Sequence, residues 1–309
     1  MSDAGTNGPP PIDEALVRRL LAAQFPQWAE LPISLVPLPG VDNATFRLGG
    51  AMSVRLPRFP RWVGQVEREH EWLPRLAPHL PLPIPVPLAK GEPGEGYPYP
   101  WSVYRWIDGT PGTADGFTDD VRTARDLAEF VRALQRIDPA GGPAPQWSNA
   151  FRGVPLGDER DSIATEARVR PKIADLSGLI DTGAVTAAWE AALAAPPWAG
   201  DPVWVHGDLA PANMLTREGR LSAVIDFGTV AVGDPAVDLL PAWGLLDAPG
   251  REVFRSALGV DDATWARGRG WALASALPAP SDPYFHDHPE RIALALRRLA
   301  AIVADTTER

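Results

Sequence analysis

The chain has 309 residues, of which 45% are hydrophobic and 22% charged, a composition typical of a globular protein whose length suits two lobes better than one compact unit. The formal net charge of -10 argues against nucleic acid as a partner and is compatible with a cationic substrate. The absence of cysteine excludes disulfides, thiolate metal sites and cysteine nucleophiles.

The N-terminal segment, residues 1–11, is rich in glycine and proline and is predicted to be a disordered tail. It lacks the basic and apolar regions of a signal peptide, and no apolar run in the sequence is long enough to cross a bilayer. We therefore expect a cytoplasmic protein that makes no membrane contact.

A helix and three strands are predicted next. Asp13 is a suitable helix N-cap residue, and the apolar spacing that follows it predicts a helix over residues 14–25. Apolar alternation bounded by glycine and proline predicts antiparallel strands over residues 33–38, 40–48 and 52–56. These elements indicate a small antiparallel sheet near the N-terminus.

The turn that contains Asp42 and Asn43 has two interpretations. It either folds over a nucleotide phosphate or forms a plain hairpin. Further along the chain, residues 65–73 have a helical pattern, and the proline-rich run at residues 81–87 is predicted to be an extended connector. Residues 101–109 alternate like a strand that ends in a turn.

The second half of the chain has mostly helical patterns. Residues 141–155 are predicted to be a loop, and residues 158–180 carry mixed charge. Amphipathic spacing predicts helices over residues 119–137, 182–195, 251–258, 263–277 and 291–304. No internal repeat is evident.

Two short apolar runs in this half end in polar residues. Residues 203–205 predict a buried strand that leads towards Asp208, and residues 222–225 predict a second strand that leads into Asp226. A hairpin turn predicted at residues 217–220 would bring the ends of these two strands together. Asp208, Asn213 and Asp226 would then face one point.

These residue types suit phosphoryl transfer. The reaction needs a carboxylate that orients the attacking hydroxyl and accepts its proton, and oxygen ligands for metal ions. A His-Gly-Asp motif that ends at Asp208, Asn213 five residues later, and an Asp-Phe-Gly motif that starts at Asp226 follow the arrangement that kinases use. The alternative is that the first motif is only a turn and Asp226 only a strand-end cap.

The segment resembles the aminoglycoside phosphotransferase family of small-molecule kinases, whose motif HGDxxxxN and following IDFG-like stretch are matched by residues 206–213 and 225–228. The resemblance implies an α+β, two-lobe protein-kinase-like fold. Residues 12–107 would form an N-terminal nucleotide-binding lobe with a small antiparallel β-sheet. Residues 108–309 would form a mostly helical C-terminal lobe for catalysis and substrate binding.

The resemblance also implies a role for each polar residue of the two motifs. Asp208 would act as the base and orient the acceptor hydroxyl, while His206 would support the geometry of the loop. Asn213 and Asp226 would hold Mg²⁺. Asp238 lies in the stretch that anchors the catalytic loop in the family, and we expect it to be structural.

In the family, a lysine on the third strand binds the α- and β-phosphates of ATP, and a glutamate on the next helix holds that lysine. Here Arg55 stands where lysine is usual, and Glu69 matches the glutamate. Arg55 either binds phosphate through its planar guanidinium or serves only as a structural ion-pair partner, because arginine and lysine are not interchangeable.

In kinase-like folds the end of the next long strand binds adenine through its backbone. The residues at this position are expected to be adenine neighbours, and they are Val103, Tyr104, Arg105 and Trp106. For the two aromatic side chains the alternative is simple core packing.

The predicted reaction moves the γ-phosphoryl group of ATP or GTP to a hydroxyl of a small molecule, with Mg²⁺ as cofactor and without an obligate protein partner. The acceptor is an antibiotic such as an aminoglycoside or a macrolide in one interpretation. In another, the chain is a metabolic sugar or amino-alcohol kinase. A catalytically silent regulator that binds a nucleotide or ligand is a further alternative.

Two sets of side chains bear on the acceptor. An acidic wall would favour an aminoglycoside, and its candidates are Asp158, Glu159, Asp161 and Glu166, or Asp282, Asp287 and Glu290. Aromatic surface would suit a flatter macrolide, and its candidates are Trp147, Phe151, Trp243, Trp265, Trp271, Tyr284 and Phe285. Since charge runs are usually solvated and tryptophan is usually buried, neither set identifies the acceptor.

Overall fold

The computed structural model describes residues 12–37, 42–113, 116–278 and 289–307. The chain divides into two compact units, one made of Met1–Pro78 with Ile84–Asp108 and the other of His79–Pro83 with Gly109–Arg309. Several predicted features lie outside the described residues, namely the tail at residues 1–11, the turn residues 40–41, and the side chains of Asp282, Tyr284, Phe285 and Asp287.

The first unit is built on an antiparallel sheet. Its helices and strands are α1 (Glu14–Gln24), β1 (Ile33–Leu35), β2 (Asn43–Leu48), β3 (Met52–Pro57), α2 (Gly64–Leu76), β4 (Pro87–Gly91) and β5 (Trp101–Arg105), with short 3-10 turns at Pro26–Trp28, Pro60–Trp62 and Ala77–His79. The strand order is β1-β2-β3-β5-β4, and neighbouring strands are antiparallel. The small antiparallel sheet predicted for this part of the chain is confirmed.

Helix α1 covers one face of this sheet. Its first turn is capped as predicted, because the backbone N–H of Leu16 donates to the Asp13 side chain at 2.7 Å. The apolar face of the helix packs in one cluster with alternate residues of the strands, among them Phe46 and Val54. Since side chains alternate along a strand, Arg55 lies on the opposite face of β3 from Val54.

Strand β4 is absent from the sequence prediction for a physical reason. It begins at Pro87, inside the proline-rich run, and its pairing with β5 is irregular between Pro87 and Ala89. Proline is tolerated only where a strand has a free edge, and β4 is the last strand of the sheet. A five-residue strand with so little alternation gives no period-2 signal.

The second unit contains most of the helices. Its elements are β6 (Thr110–Pro111), α3 (Asp120–Gln135), α4 (Glu166–Asp175), α5 (Thr182–Leu193), β7 (Val203–Val205), β8 (Met214–Arg217), β9 (Arg220–Val224), β10 (Ala231–Gly233), α6 (Pro241–Gly244), α7 (Ala248–Leu258), α8 (Asp262–Ala276) and α9 (Pro289–Thr307), with 3-10 turns at Trp147–Asn149, Pro211–Asn213, Phe227–Thr229 and Pro235–Leu239. None of the described helices combines the length and the apolar character that a bilayer crossing requires.

The predicted helices of this unit are confirmed within a few residues at each end. Helix α4 is not predicted from the sequence, because the many charged residues within residues 158–180 obscure a short apolar side formed by Val169 and Ile173. The core is rich in tryptophan, and Trp265 and Trp271 are 1% and 0% exposed. These two side chains therefore pack the core, and the acceptor surface suggested for them is not available.

The strand pairing around the two motifs differs from the prediction. The hairpin turn is present, but it joins β9 to β8, with Arg217 opposite Arg220. Strand β7 pairs instead with β10, where Val205 lies opposite Ala231. The predicted turn at residues 217–220 therefore joins β8 to β9 and not β7 to β9, yet the ends of the two predicted strands do lie together, since His206 Nε2 is 3.0 Å from the carbonyl oxygen of Ile225.

Candidate active site

The backbone of the His-Gly-Asp motif is held by a buried carboxylate. Asp238 is 0% exposed and accepts hydrogen bonds from the backbone N–H groups of His206 at 2.8 Å and Gly207 at 2.7 Å. Burial raises the pKa of Asp238 above its usual value, while the nearby His206 and the two backbone donors oppose that shift. Asp238 is thus a structural residue, as predicted, and it fixes the chain immediately before Asp208.

His206 connects the two motifs. Its Nδ1 accepts a hydrogen bond from the backbone N–H of Asp208 at 3.2 Å, and its Nε2 lies 3.0 Å from the carbonyl oxygen of Ile225. The two contacts are satisfied together by the tautomer that carries its proton on Nε2. The ring also packs edge-on against Phe227, with 4.6 Å between the ring centroids. His206 therefore holds Asp208 and the residue before Asp226 in one geometry.

Gly207 has little space around it. Its backbone is in the left-handed region, with φ +83°, and a β-carbon here would lie 2.7 Å from Cβ of Arg152 and 3.0 Å from the carbonyl oxygen of Thr229. The Thr229 hydroxyl in turn donates to the carbonyl oxygen of His206 at 2.8 Å. Only glycine satisfies both the backbone conformation and the close approach.

Asp208 and Asn213 are brought together as predicted. The Asn213 side-chain amide, Nδ2, donates to the backbone carbonyl of Asp208 at 2.9 Å and lies 3.2 Å from its Oδ2. The backbone N–H of Ile225 donates to the Asn213 carbonyl at 2.8 Å. Because these contacts use Nδ2, the Oδ1 atom of Asn213 is the part of the amide suited to bind a cation.

Arg152 is a site residue that sequence reasoning missed. Its Nη2 lies 3.8 Å from Oδ1 of Asp208, and its side chain is only 9% exposed, whereas that of Asp208 is 35% exposed. Arg152 lies in the predicted loop 141–155, far from both motifs in sequence. No motif marks it, and only the tertiary fold brings it to the carboxylate.

Asp226 has an unusual backbone for a residue with a side chain. Its φ of 64° and ψ of 66° lie in the left-handed region, and it directly precedes the 3-10 turn of Phe227. Such conformations cost energy and occur mainly where the surrounding structure enforces them, often at functional sites. Asp226 is half-buried and adjacent to Ile225, which bonds both His206 and Asn213.

The donor set of these loops fits a magnesium ion that binds with substrate phosphates. Among the described residues, no group of three or more His, Asp or Glu side chains converges as a metal site. Mg²⁺ is commonly bound by one or two carboxylates together with waters and phosphate oxygens, so a protein-only cage is not needed. Asn213 and Asp226 offer one amide oxygen and one carboxylate, which meets this requirement.

In the first unit, the predicted partners Arg55 and Glu69 lie together. Arg55 Nη1 is 3.6 Å from Oε1 of Glu69, and the Tyr104 hydroxyl donates to Oε2 of Glu69. Of the three glutamates on α2, Glu69 is the one that points inward, at 0% exposure. Burial, followed by the charge of Glu69, raises the pKa of Tyr104 well above its usual value, so this hydroxyl stays a donor.

The predicted adenine neighbours lie at the end of β5. Val103 and Tyr104 have buried side chains, Arg105 is exposed and Trp106 is half-buried. The guanidinium of Arg47 lies over the Trp106 ring, 4.0 Å from its centroid. The Tyr104 side chain is occupied by Glu69, which leaves the backbone of this segment as the part suited to bind a base.

The predicted phosphate-binding turn is described in part. Asp42 accepts a hydrogen bond through its carbonyl oxygen from the backbone N–H of Arg58 at 2.8 Å. The Asn43 side chain is buried and its Oδ1 accepts from Nε2 of Gln65 at 2.7 Å. Asn43 thus fastens the start of β2 to α2 within the first unit.

Comparison with known proteins agrees with this geometry. The model of the phosphotransferase enzyme family matches residues 34–271. No curated protein sequence is significantly similar to the chain.

Solved structures with a similar fold include aminoglycoside 2'-phosphotransferase-IIIa in complex with GDP, at 20% identity and a TM-score of 0.68, covering 96% of this chain and 100% of that one. A macrolide 2'-phosphotransferase from Brachybacterium faecium has 24% identity and a TM-score of 0.58, and the match covers 91% of this chain and 97% of that one. An ADP-bound aminoglycoside phosphotransferase has 17% identity and a TM-score of 0.58, and the match covers 94% of this chain and 99% of that one. The chain belongs to the phosphotransferase enzyme family, so the predicted family, kinase-like fold and phosphotransferase activity are confirmed.

Proposed function

We propose that the chain transfers the γ-phosphoryl group of ATP or GTP to a hydroxyl of a small molecule. The observation that carries this proposal is the way in which Asp208 is held. His206 bonds its backbone N–H, Asn213 bonds its carbonyl and approaches one carboxylate oxygen, and Arg152 approaches the other. A fixed, partly exposed carboxylate is what general-base catalysis on a hydroxyl requires.

In this mechanism Asp208 orients the acceptor hydroxyl and accepts its proton as the oxygen attacks the γ-phosphorus and the bond to the β-phosphate oxygen breaks. His206 keeps Asp208 in place through its backbone. Asn213 Oδ1 and the Asp226 carboxylate would hold Mg²⁺. When bound, Mg²⁺ supplies positive charge that offsets the charge of the phosphate oxygens.

The residues of the first unit are proposed to hold the nucleotide. Arg55, which is held by Glu69, contacts the phosphates, and the turn at Asp42 and Asn43 lies over them. The adenine contacts come from the segment that ends β5, formed by Val103, Tyr104, Arg105 and Trp106. The GDP and ADP bound by proteins of similar fold support a nucleotide as the donor.

We propose that residues 12–107 act as the nucleotide-binding lobe and residues 108–309 as the catalytic and acceptor-binding lobe. The protein would act in the cytoplasm, where nucleoside triphosphates are available, and without an obligate protein partner. An antibiotic as acceptor is supported by the aminoglycoside and macrolide phosphotransferases of similar fold. The metabolic sugar or amino-alcohol kinase remains the alternative.

The test is nucleotide consumption with Mg²⁺ across a panel of aminoglycosides, macrolides, sugars, amino alcohols and hydroxy acids, with Asp208→Asn as the control. Transfer to an acceptor that is lost in Asp208→Asn, with nucleotide binding retained, would support the proposal. Nucleotide binding without transfer to any acceptor would favour the silent regulator, for which Arg55 in place of lysine is the supporting observation. Loss of nucleotide binding in Asp208→Asn would contradict the role of Asp208 as base.

A further inference from the structure

A cavity in the second unit begins next to the catalytic aspartate. It is formed by the residues that follow Asp208 and by helices α6, α8 and α9, and its lining includes Leu209, Pro211, Trp243, Ala272, Arg298 and Ile302. The cavity is partly open to solvent. Because Leu209 directly follows Asp208 in the chain, the cavity lies beside the catalytic segment.

The charge of this cavity is the opposite of what a polycation requires. Within the described part of the chain, its lining is mainly apolar, contains no Asp or Glu, and has Arg298 as its charged member. A β-carbon on Gly244 would lie 3.9 Å from Nε of Arg298 and 4.0 Å from Cδ of Pro211, so the guanidinium and Pro211 both lie close to this glycine.

No described residue offers Arg298 a partner that would offset its burial. Its Nε atom is buried without a hydrogen bond to the described residues. Burial lowers the pKa of the Arg298 guanidinium, the charge of Arg297 lowers it further, and no acidic neighbour among the described residues acts in the other direction. A partly buried cation is unfavourable unless an anion or a hydrogen-bond acceptor is supplied.

A second donor on the same lining is also unsatisfied. Trp243 is 3% exposed and stacks against Trp265 with 4.7 Å between ring centroids, but its Nε1 has no hydrogen-bond partner among the described residues. Buried polar groups in folded proteins nearly always have partners. Two unsatisfied donors on one cavity therefore point to a ligand that brings acceptor oxygens.

The acidic residues of the stretch 158–170 do not supply the negative charge that the cavity lining lacks. Asp158 is bonded to Arg160 at 2.7 Å, Asp161 is paired with Arg168, and Glu166 is paired with Arg170. Each of these three carboxylates already has a guanidinium partner. The stretch is thus a set of ion pairs on the surface and offers little net negative charge to a polyamine.

We propose that this cavity is the acceptor site and that it takes a small hydroxyl compound with an apolar body and a carboxylate, which Arg298 and the Trp243 indole bind. The proposal rests on the proposed function, since it identifies the acceptor class of the same site. One guanidinium matches one negative charge, and its planar donors fit the two oxygens of a carboxylate. Arg298 and Trp243 are thus residues that determine specificity.

The test uses three probes of one shape and different charge: 4-(hydroxymethyl)benzoate, its methyl ester, and 4-(aminomethyl)benzyl alcohol. Binding to the full chain is measured by calorimetry, with and without a non-hydrolysable ATP analogue and Mg²⁺. We expect the carboxylate to bind about 10-fold or more tightly than the ester or the amine, as is typical of a charge-assisted hydrogen bond. Trp243→Phe should weaken its binding several-fold.

The matched variants are Arg298→Gln and Arg297→Gln, which remove adjacent positive charges on α9. Arg298→Gln should abolish the preference for the carboxylate, while the exposed Arg297→Gln should leave it within about twofold, because exposed charges are well screened. Arg298→Lys should retain part of the preference. Circular dichroism and the unfolding midpoint show whether each variant is folded.

Equal or reversed affinities, no saturable binding of the carboxylate, or an unchanged preference in Arg298→Gln would each overturn the proposal. The binding measurement does not depend on turnover. A chain that binds the carboxylate through Arg298 but transfers no phosphate would contradict the proposed function alone. A chain that phosphorylates a polycation and ignores the carboxylate would support the proposed function and contradict this inference.

Discussion

At the scale of single residues, the side chains around Asp208 have separate tasks. Asn213 approaches one carboxylate oxygen, and Arg152 lies near the other. The Arg152 side chain is nearly buried, so its position depends on the fold rather than on solvent. A buried guanidinium beside a partly exposed carboxylate restricts the rotation of that carboxylate.

Arg152→Met is expected to lower kcat about 10-fold or more while changing KM for ATP by less than about twofold, because small misplacements of a catalytic group slow the reaction strongly. Arg152→Lys should restore part of kcat. Steady-state kinetics with a saturating acceptor measure both constants. The control is Arg160→Met, which removes a half-exposed arginine that pairs with Asp158. A kcat as high in Arg152→Met as in the control would show that Arg152 only packs.

Gly207 makes a sharp test of backbone geometry because the chain offers a matched control. Gly178 lies in the same unit with φ +87°, and nothing lies within 4 Å of a β-carbon built there. Gly178→Ala should therefore cost only the backbone strain, about 1–2 kcal/mol of unfolding free energy. Gly207→Ala adds an overlap with Arg152, at 2.7 Å, and should cost more.

Denaturant unfolding of the two glycine variants gives the comparison directly. Gly207→Ala should also lose most of its phosphotransferase activity, because the chain that leads into Asp208 must shift. Gly178→Ala should keep its activity. Similar destabilisation and similar activity in both variants would show that the space around Gly207 adjusts without consequence for the site.

At the scale of elements, strand β5 and helix α2 are joined by a buried polar contact. Tyr104 on β5 donates to Glu69 on α2, and Glu69 is also the partner of Arg55 on β3. Three elements of the first unit therefore meet at one carboxylate. The geometry of Arg55 depends on this contact, because a buried carboxylate is costly unless its oxygens are bonded.

Tyr104→Phe is expected to reduce the unfolding free energy by about 1–3 kcal/mol, since it leaves buried acceptor capacity on Glu69 unsatisfied. It should also raise KM for ATP several-fold, because Glu69 then holds Arg55 less well. Tyr97→Phe is the control, since the Tyr97 hydroxyl donates at 2.6 Å to the carbonyl of Pro57 and not to Glu69. It should destabilise the chain without raising KM. An equal rise in both variants would refute a specific role for the contact.

The elements also show how far sequence reasoning reaches. The amphipathic helices and the longer strands are predicted correctly, because their periodicity extends over several turns or pairs. The sequence does not predict the pairing of β7 with β10 or the edge strand β4, because three to five residues carry no periodic signal. Glu69 is identified through the family resemblance, yet its contact with Tyr104 is not predicted, since a side chain's partner depends on tertiary packing.

The residues of the site likewise divide into those that the sequence predicts and those that only the structure brings to light. Asp208, Asn213 and Asp226 are found from the sequence because their spacing is itself the signal, although the hairpin assumed to bring them together joins other strands. The left-handed backbone of Asp226 has no counterpart in composition or spacing. Arg152 and Arg298 come from a loop and a distant helix, so only the folded chain brings them to the catalytic segment.

At the scale of the whole molecule, the net charge of the chain and the charge of the cavity lining favour different acceptors. The chain carries a formal charge of -10, which by itself is compatible with a cationic acceptor. The lining of the cavity next to the catalytic segment is apolar with one guanidinium within the described residues. Because screening limits each surface charge to a range of about 10 Å, the local lining is the better guide to the acceptor.

Among the described residues no carboxylates cluster as a metal site, and this leads to a prediction about metal binding by the whole chain. The described residues contain no group of three His, Asp or Glu side chains suited to a metal, so Mg²⁺ alone should bind weakly. Mg²⁺ at about 1 mM without nucleotide should therefore leave the thermal unfolding midpoint unchanged, and a nucleotide with EDTA should raise it only slightly. Nucleotide and Mg²⁺ together should stabilise the chain by about 2.7 kcal/mol at a concentration 100 times Kd.

Asp226→Asn distinguishes a metal ligand from a residue needed for folding. Losing the carboxylate should remove the additional stabilisation by Mg²⁺ while preserving the smaller effect of the nucleotide in EDTA, because the proposed adenine contacts lie in the first unit. Differential scanning fluorimetry of the chain alone and under these three conditions provides the measurement, with Asp262→Asn as a control at an exposed carboxylate. Strong stabilisation of the wild type by Mg²⁺ alone would contradict a site completed by phosphate, and an undiminished Mg²⁺ effect in Asp226→Asn would remove Asp226 from the ligand set.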